Sequence, residues 1–201
     1  MLYKKGFTLV EVVTAISILV VIMVAVSTFQ YNVISYNRSS AVALTNATEA
    51  QSILKVMARE MREMSPSSNG AYPIIAAATS TISFYADLDG DGTKEQIRYF
   101  LASSTVNRGL IKPTGTPAVY SSASETFKIL ATGIRNSSST PVFEYYPATY
   151  TGTSTAMTYP LTLTTIRLIR ASITIDTDPN KAPILRSFST QVVLRNLKDN
   201  L

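Results

Sequence analysis

With 201 residues, the chain has room for one domain with an appended segment. It contains neither cysteine nor histidine, which excludes disulfides, thiolate metal sites and the commonest general base. The net charge of +5 comes from cations that are scattered among acids, so we expect no nucleic-acid partner and, without a recognisable catalytic motif, no enzyme.

The first predicted element is an apolar helix near the N-terminus. Residues 7–29 contain one charged side chain, Glu11, and would measure about 35 Å as an α-helix, enough to cross a bilayer. Lys4 and Lys5 precede this run and should stay cytoplasmic, which places the body of the protein on the other side. A secretory signal peptide would have a shorter apolar run and a clear cleavage site after it. A plain membrane anchor would leave Glu11 unexplained, because an unpartnered carboxylate in lipid is costly.

The residues around Glu11 form a specific pattern: Lys4, Lys5, Gly6, Phe7, Thr8, Leu9, Val10, Glu11 and then the apolar helix. This pattern resembles the processing site of type IV prepilins and pseudopilins. The resemblance implies that residues 1–6 are a leader, that prepilin peptidase cuts between Gly6 and Phe7, and that the new amine of Phe7 is N-methylated. It also implies that Glu11 meets the amine of the neighbouring subunit and registers assembly, because a charge pair in a low-dielectric setting is directional.

The resemblance also implies a location and partners. The protein would cross the bacterial inner (cytoplasmic) membrane once, with its leader cytoplasmic and its head outside, and would then enter a pilus or pseudopilus. Its partners would be other pilin or pseudopilin subunits, prepilin peptidase, an inner-membrane assembly platform and membrane lipid. The implied function is a structural subunit of a type IV pilus or type II secretion-type filament. The alternative is a tip adhesin or DNA-capturing pilin that uses Tyr-, Ser- and Thr-rich loops.

Residues 7–29 are thus predicted as a transmembrane and assembly helix, and residues 30–65 as its amphipathic continuation. Apolar residues recur at steps of three or four: Leu44, Ala47, Ala50, Ile53 or Leu54, Met57, Met61 and Met64. We predict that this stripe packs against the protein's own sheet. The opposite face is predicted to be solvated and carries charged residues: Glu49, Lys55, Arg59, Glu60, Arg62 and Glu63. A cluster of turn-forming residues around Pro66 ends the helix.

Residues 86–95 are predicted to form an acidic hairpin, because Asp-Gly is a strong turn signal. Four carboxylates crowd into this turn and repel one another unless a cation binds or some are protonated: Asp87, Asp89, Asp91 and Glu95. Together with the backbone carbonyl of Thr93, these oxygens suit Ca²⁺, which would order the hairpin. Arg98 stands where an EF-hand needs its last acid, and the loop instead resembles the Asp-x-Asp-x-Asp-Gly calcium loops of integrin-type repeats.

Residues 70–201 are predicted to form a β-rich globular head. Runs rich in β-formers occur between turns, at 81–85, 96–102, 109–112, 141–146, 163–176 and 185–195. Residues 127–134 are predicted as a short turn or helix, and 113–126 and 147–160 as surface loops. The predicted class is α+β, with one long N-terminal α-helix whose C-terminal half packs on an antiparallel β-sheet domain. This is also the pilin fold that the resemblance implies.

Three segments of the head resemble particular subfamilies of pilins and pseudopilins. Residues 129–134, 141–146 and 190–196 are similar to segments of W-type minor pilins and of J-type minor pseudopilins. They imply a minor rather than a major filament subunit.

Overall fold

The structure, a computed structural model, describes residues 6–176, 185–194 and 197, with the backbone alone for 38–43. Most of the expected leader, with Lys4 and Lys5, lies outside the described residues. So do residue 195 of the last predicted strand and parts of the segment 190–196. The chain divides into two units, Met1–Val42 and Ala43–Leu201.

The first unit consists of the N-terminal part of a long helix, α1, which runs over Leu9–Arg62. Its segment Leu9–Asn37 is long and apolar enough to cross a membrane, and none of it is buried within the protein. The hydroxyls of Thr14, Ser17 and Thr28 each donate to the carbonyl four residues earlier, at 3.0, 2.8 and 2.9 Å. Each of the three hydroxyl groups therefore has a hydrogen-bond acceptor within the helix, as a lipid environment requires.

The second unit begins with the C-terminal part of α1, whose apolar stripe is buried. The buried residues of this stripe include Ala50, Ile53, Leu54, Met57, Met61 and Met64. The stripe starts later than predicted, because Leu44 is 69% exposed. The prediction that Glu60 faces solvent is wrong, since only 4% of this residue is accessible. The helix ends at Arg62, four residues before Pro66.

Eight antiparallel strands form two sheets in the second unit. The first sheet has the order β1-β2-β3-β4-β5 and the second the order β6-β7-β8. The strands are β1 Ile74–Ala77, β2 Thr81–Ala86, β3 Glu95–Ala102, β4 Thr105–Ile111, β5 Thr126–Ala131, β6 Phe143–Tyr146, β7 Leu168–Asp176 and β8 Leu185–Val193. Short 3₁₀ turns cover Ser122–Ser124 and Leu163–Thr165. One long helix with antiparallel sheets confirms the α+β class.

A single apolar core joins α1 to both sheets. Met57 and Met61 of the helix share it with Phe84 of the first sheet and with Phe143 and Ile169 of the second. Burial of apolar side chains from three layers is the dominant stabilising contribution to such a unit. The methionine stripe therefore packs on the protein's own sheets.

The strand predictions differ from the structure in four places. β1 was not predicted at all, β4 begins at Thr105 rather than at residue 109, and β7 begins at Leu168 because a 3₁₀ turn precedes it. The prediction of a turn or helix over 127–134 is wrong, because β5 lies there and pairs with β4. β5 is an edge strand with Phe127 and Ile129 both 61% exposed. An edge strand of this kind forms its backbone hydrogen bonds with one neighbour only, here β4. The sequence of β5 alone, with apolar residues exposed, does not indicate this pairing.

Candidate functional site

The N-terminus of α1 is closed by a reciprocal pair of hydrogen bonds between Thr8 and Glu11. The Thr8 backbone N–H donates to Glu11 Oε2 at 3.0 Å, and the Glu11 N–H donates to Thr8 Oγ1 at 3.3 Å. The Thr8 hydroxyl also donates to Glu11 Oε2, at 3.1 Å. Because α1 begins at Leu9, Thr8 is the N-cap residue and Glu11 the third helical residue. This is a capping box, which satisfies donors that the first helical turn leaves free.

The capping box accounts for an acid at the start of an apolar helix. It satisfies the backbone of the first turn, and the positive end of the helix dipole favours a carboxylate there. Both bonds from Thr8 go to Oε2, and within residues 6–176, 185–194 and 197 no hydrogen-bond donor reaches Oε1. The carboxylate thus retains one oxygen that can accept a further donor.

Gly6 and Phe7 lie just before the helix and outside regular secondary structure. Both residues are exposed, and Phe7 is 86% accessible. The peptide bond between them is therefore reachable by a protease. Gly6, Phe7 and Glu11 lie together at one exposed helix end.

These features define a class: a protein with an accessible N-terminal peptide bond, a capped membrane-length helix and an α+β head. Residues 1–27 match the family described as the prokaryotic N-terminal methylation motif. This match supports an N-terminal segment of the type IV prepilin and pseudopilin kind. Neither the curated proteins nor the solved structures contain a significant match to the chain.

The acidic hairpin lies between β2 and β3, and the structure brings three of its carboxylates together. Oxygens of Asp87, Asp89 and Glu95 lie within 4.8 Å of one another, so these residues could hold a metal ion. Asp91, the fourth predicted carboxylate, is not one of these three. Asp91 Oδ1 accepts the Thr93 N–H at 2.7 Å, which forms the tip of the turn.

Two lysines neutralise part of the charge of this hairpin. Lys94 Nζ lies 2.9 Å from Asp87 Oδ2, and Lys112 Nζ lies 2.6 Å from Asp89 Oδ2 and 3.9 Å from Glu95 Oε1. The hydrogen bond from Lys94 lowers the pKa of Asp87, and the hydrogen bond from Lys112 lowers the pKa of Asp89. The two lysines thus supply positive charge that the sequence analysis expected from calcium. A metal ion at this cluster would have to displace Lys112.

A buried polar group that the sequence patterns missed links α1 to the first sheet. Glu60 Oε2 accepts the Tyr99 hydroxyl at 2.5 Å and the Arg108 Nε–H at 3.0 Å. Burial is the main cause that raises the pKa of Tyr99 far above its usual range. The helical spacing carried a signal, because Glu60 is three residues after Met57 and four before Met64, which places it on the buried stripe. Its partners Tyr99 and Arg108 come from β3 and β4, and no nearby sequence pattern indicates that they meet Glu60.

The Tyr-rich stretch of the predicted binding loops is partly internal. Tyr145 and Tyr146 are buried, and Tyr150 packs 4.3 Å from the Tyr146 ring and accepts a hydrogen bond from Arg170 at 3.0 Å. Tyr159 is more accessible, at 46%. Most of these rings therefore stabilise the head itself.

Proposed function

We propose that this protein is a minor pilin or minor pseudopilin, of the W-type or J-type kind, that is cut after Gly6, methylated on Phe7 and packed through α1 into a filament. The observation that carries the proposal is the match of residues 1–27 to the N-terminal methylation motif, followed by an exposed apolar helix. The filament is a type IV pilus or a type II secretion-type pseudopilus. The chain starts as a single-pass protein of the inner membrane, where the assembly platform receives it.

The geometry at the N-terminus of α1 supports a role of Glu11 in setting the register between neighbouring filament subunits. Cleavage creates a cationic amine at Phe7, and Glu11 holds its carboxylate in place through Thr8 while Oε1 accepts no protein donor among the described residues. The amine of the next subunit is a matching partner for that oxygen. A charge pair away from water is strong and penalises misregister. Contacts of this kind are head-to-tail and do not close, so they build a fibre.

The proposal includes a divalent-cation site at the acidic hairpin, with Ca²⁺ as the ion. The clustering of Asp87, Asp89 and Glu95 supports it. An all-oxygen set of carboxylates is the donor chemistry that Ca²⁺ prefers. The ion would order the turn between β2 and β3 and would perform no catalysis.

Mass spectrometry of the protein from purified filaments tests the processing. We expect an N-terminal peptide that begins at Phe7 and carries one methyl group on its amine. A Gly6→Leu chain should keep its leader and stay out of filaments, whereas a Gly70→Ala chain, altered in the loop after α1, should be processed as the wild type. An intact Met1 on the protein in assembled filaments would refute the proposal.

A deletion of the gene separates the filament role from a tip-binding role. Loss of a priming subunit removes fibres from the cell surface, whereas loss of a tip binder leaves fibres that no longer adhere. Electron microscopy and an adhesion assay on the same cells distinguish the two outcomes.

A further inference from the structure

A groove separates α1 from the edge of the first sheet in the second unit. Its wall includes Ile53, Val56 and Arg59 from α1, Arg108 from β4, and Lys128 and Leu130 from β5. The cavity measures about 330 Å³. It is large enough for one or two side chains of another molecule and has both apolar and cationic walls.

The groove concentrates positive charge that the protein neutralises only in part, with three cations against one acid in its wall. Arg108 and Lys128 are direct partners across the β4–β5 pair, an arrangement in which like charges destabilise a sheet. Arg59 adds a third cation from the helix. Glu60 is the one acid in the wall, and its Oε2 is already shared between Tyr99 and Arg108.

The donors of these cations remain available. Across the part of the chain that the structure describes, Arg59 and Lys128 form no ion pair and no hydrogen bond. Arg108 uses Nε for Glu60, so its two terminal nitrogens stay without an acceptor among those same residues. The Glu60 bond also fixes the direction of the guanidinium, because Glu60 is buried and held by Tyr99. The acidic hairpin differs, since lysines there contact Asp87 and Asp89.

We propose that this groove binds a carboxylate-bearing peptide segment of a neighbouring filament subunit, an inference that rests on the proposed function. A guanidinium held at Nε presents a planar pair of donors that fits a carboxylate. Ile53, Val56 and Leu130 offer apolar contact to the residues beside that acid. A nucleic-acid strand fits less well, because backbone tracking requires a row of cations and aromatic platforms for bases, and the wall of this groove contains no aromatic side chain.

The first test measures peptide binding to the full chain in detergent micelles by isothermal titration calorimetry. The probes are an N-acetylated, C-amidated peptide Ala-Leu-Glu-Glu-Leu-Ala, its Gln-Gln counterpart and inorganic phosphate. We expect the Glu-Glu peptide to bind about tenfold more tightly than the Gln-Gln peptide, and more tightly than phosphate. The double variant Arg59→Gln/Lys128→Gln should lose about tenfold in affinity for the Glu-Glu peptide.

The matched control is Lys55→Gln/Arg62→Gln, which removes two exposed cations of the same helix that lie outside the groove. It should bind the Glu-Glu peptide as the wild type does. Equal affinity for the two peptides, tighter binding of phosphate, no binding of the Glu-Glu peptide, or an equal loss in both double variants would each overturn the proposal.

Filament assembly in cells separates this inference from the proposed function. We expect fewer fibres from Arg59→Gln/Lys128→Gln than from the Lys55→Gln/Arg62→Gln control. If Glu11→Val abolishes fibres while the groove variant assembles fully, the filament function stands and the groove has no subunit partner. If filaments contain the uncut chain, the filament function itself fails, whatever the peptide titration shows.

Discussion

Glu11 and Glu60 are two carboxylates on apolar stretches of α1, and a hydroxyl donor holds each of them. The Thr8 hydroxyl donates to Glu11 at 3.1 Å, and the Tyr99 hydroxyl donates to Glu60 at 2.5 Å. Glu60 also has a cation within the chain, because Arg108 lies 3.0 Å away. Glu11 has no such cation among the described residues.

Replacement of Glu60 by alanine should destabilise the second unit. The change leaves the half-buried Arg108 without its counter-charge and the buried Tyr99 hydroxyl without its acceptor. We expect the free energy of unfolding to fall by about 3 kcal/mol. Urea titration of the full chain in detergent, followed by circular dichroism, measures this change.

The control is Glu63→Ala, one helical turn further along, where the acid is exposed. Its effect should stay within about 0.5 kcal/mol. Equal losses for Glu60→Ala and Glu63→Ala would show that the buried group contributes nothing specific.

Among the elements, β5 is held to the sheet by a contact that crosses Gly109. Arg98 of β3 forms a two-pronged bond to Glu125, at 2.9 and 2.8 Å, and stacks 4.4 Å above the Phe100 ring. A Cβ on Gly109 would lie 1.9 Å from Glu125 Oε1. An alanine at this position of β4 would therefore force the Glu125 carboxylate to move away from its place beside Arg98.

The substitution Gly109→Ala should displace Glu125 and weaken the attachment of β5. We expect the free energy of unfolding to fall by about 1–3 kcal/mol, as for other overpacked sites. In the double variant Gly109→Ala/Glu125→Ala, the combined loss should be smaller than the sum of the single losses, because the clash disappears. Additive losses in this cycle, read from urea midpoints, would contradict the steric explanation.

Calcium binding at the acidic hairpin should be limited by Lys112, which contacts two of the three clustered carboxylates. We expect wild-type affinity in the range of about 1 mM. Lys112→Gln should bind about tenfold more tightly, because a competing positive charge is removed. Asp89→Asn should bind more weakly than the wild type.

Calorimetric titration of the full chain with calcium chloride reads these affinities, and Lys55→Gln is the control for loss of a lysine elsewhere. The absence of binding heat in Lys112→Gln at millimolar calcium would remove the proposed site. A gain of the same size in Lys55→Gln would trace the effect to net charge instead.

Over the whole molecule, α1 contributes to both units, and its two parts differ in what surrounds them. The apolar residues of Leu9–Asn37 find no partner inside the protein, whereas the stripe from Ala50 onward is buried against two sheets. Exposed apolar surface of this extent requires lipid or other helices as its environment. The first part of α1 is thus suited to contact lipid or other helices, and the second part holds the head together.

Replacement of Glu11 by valine should leave membrane insertion intact and impair assembly. Valine lengthens the apolar run but removes the carboxylate that the Phe7 amine of the next subunit would meet. Membrane fractionation should show normal insertion, and electron microscopy should show few or no fibres. Thr14→Val is the control, because the Thr14 hydroxyl is already bonded to its own helix. Wild-type numbers of fibres from Glu11→Val would contradict the role in register.

Sequence alone determined the features that depend on neighbours along the chain. The processing motif, the membrane-length helix, the methionine stripe and the Asp-Gly turn all lie within short stretches, and the forces that shape them act over a few residues. The α+β class followed from the change of period after Gly70. The processing motif is also local, and the match of residues 1–27 to the prokaryotic N-terminal methylation motif agrees with it.

Only the tertiary structure decided which distant residues meet. Cross-strand register placed Arg108 opposite Lys128 and beside Tyr99, and pairing with β4 made 126–131 an edge strand. Lys112 reaches Asp89 across 23 positions of sequence. The charge balance of a side chain depends on these through-space neighbours, and the spacing of residues along the chain does not encode them.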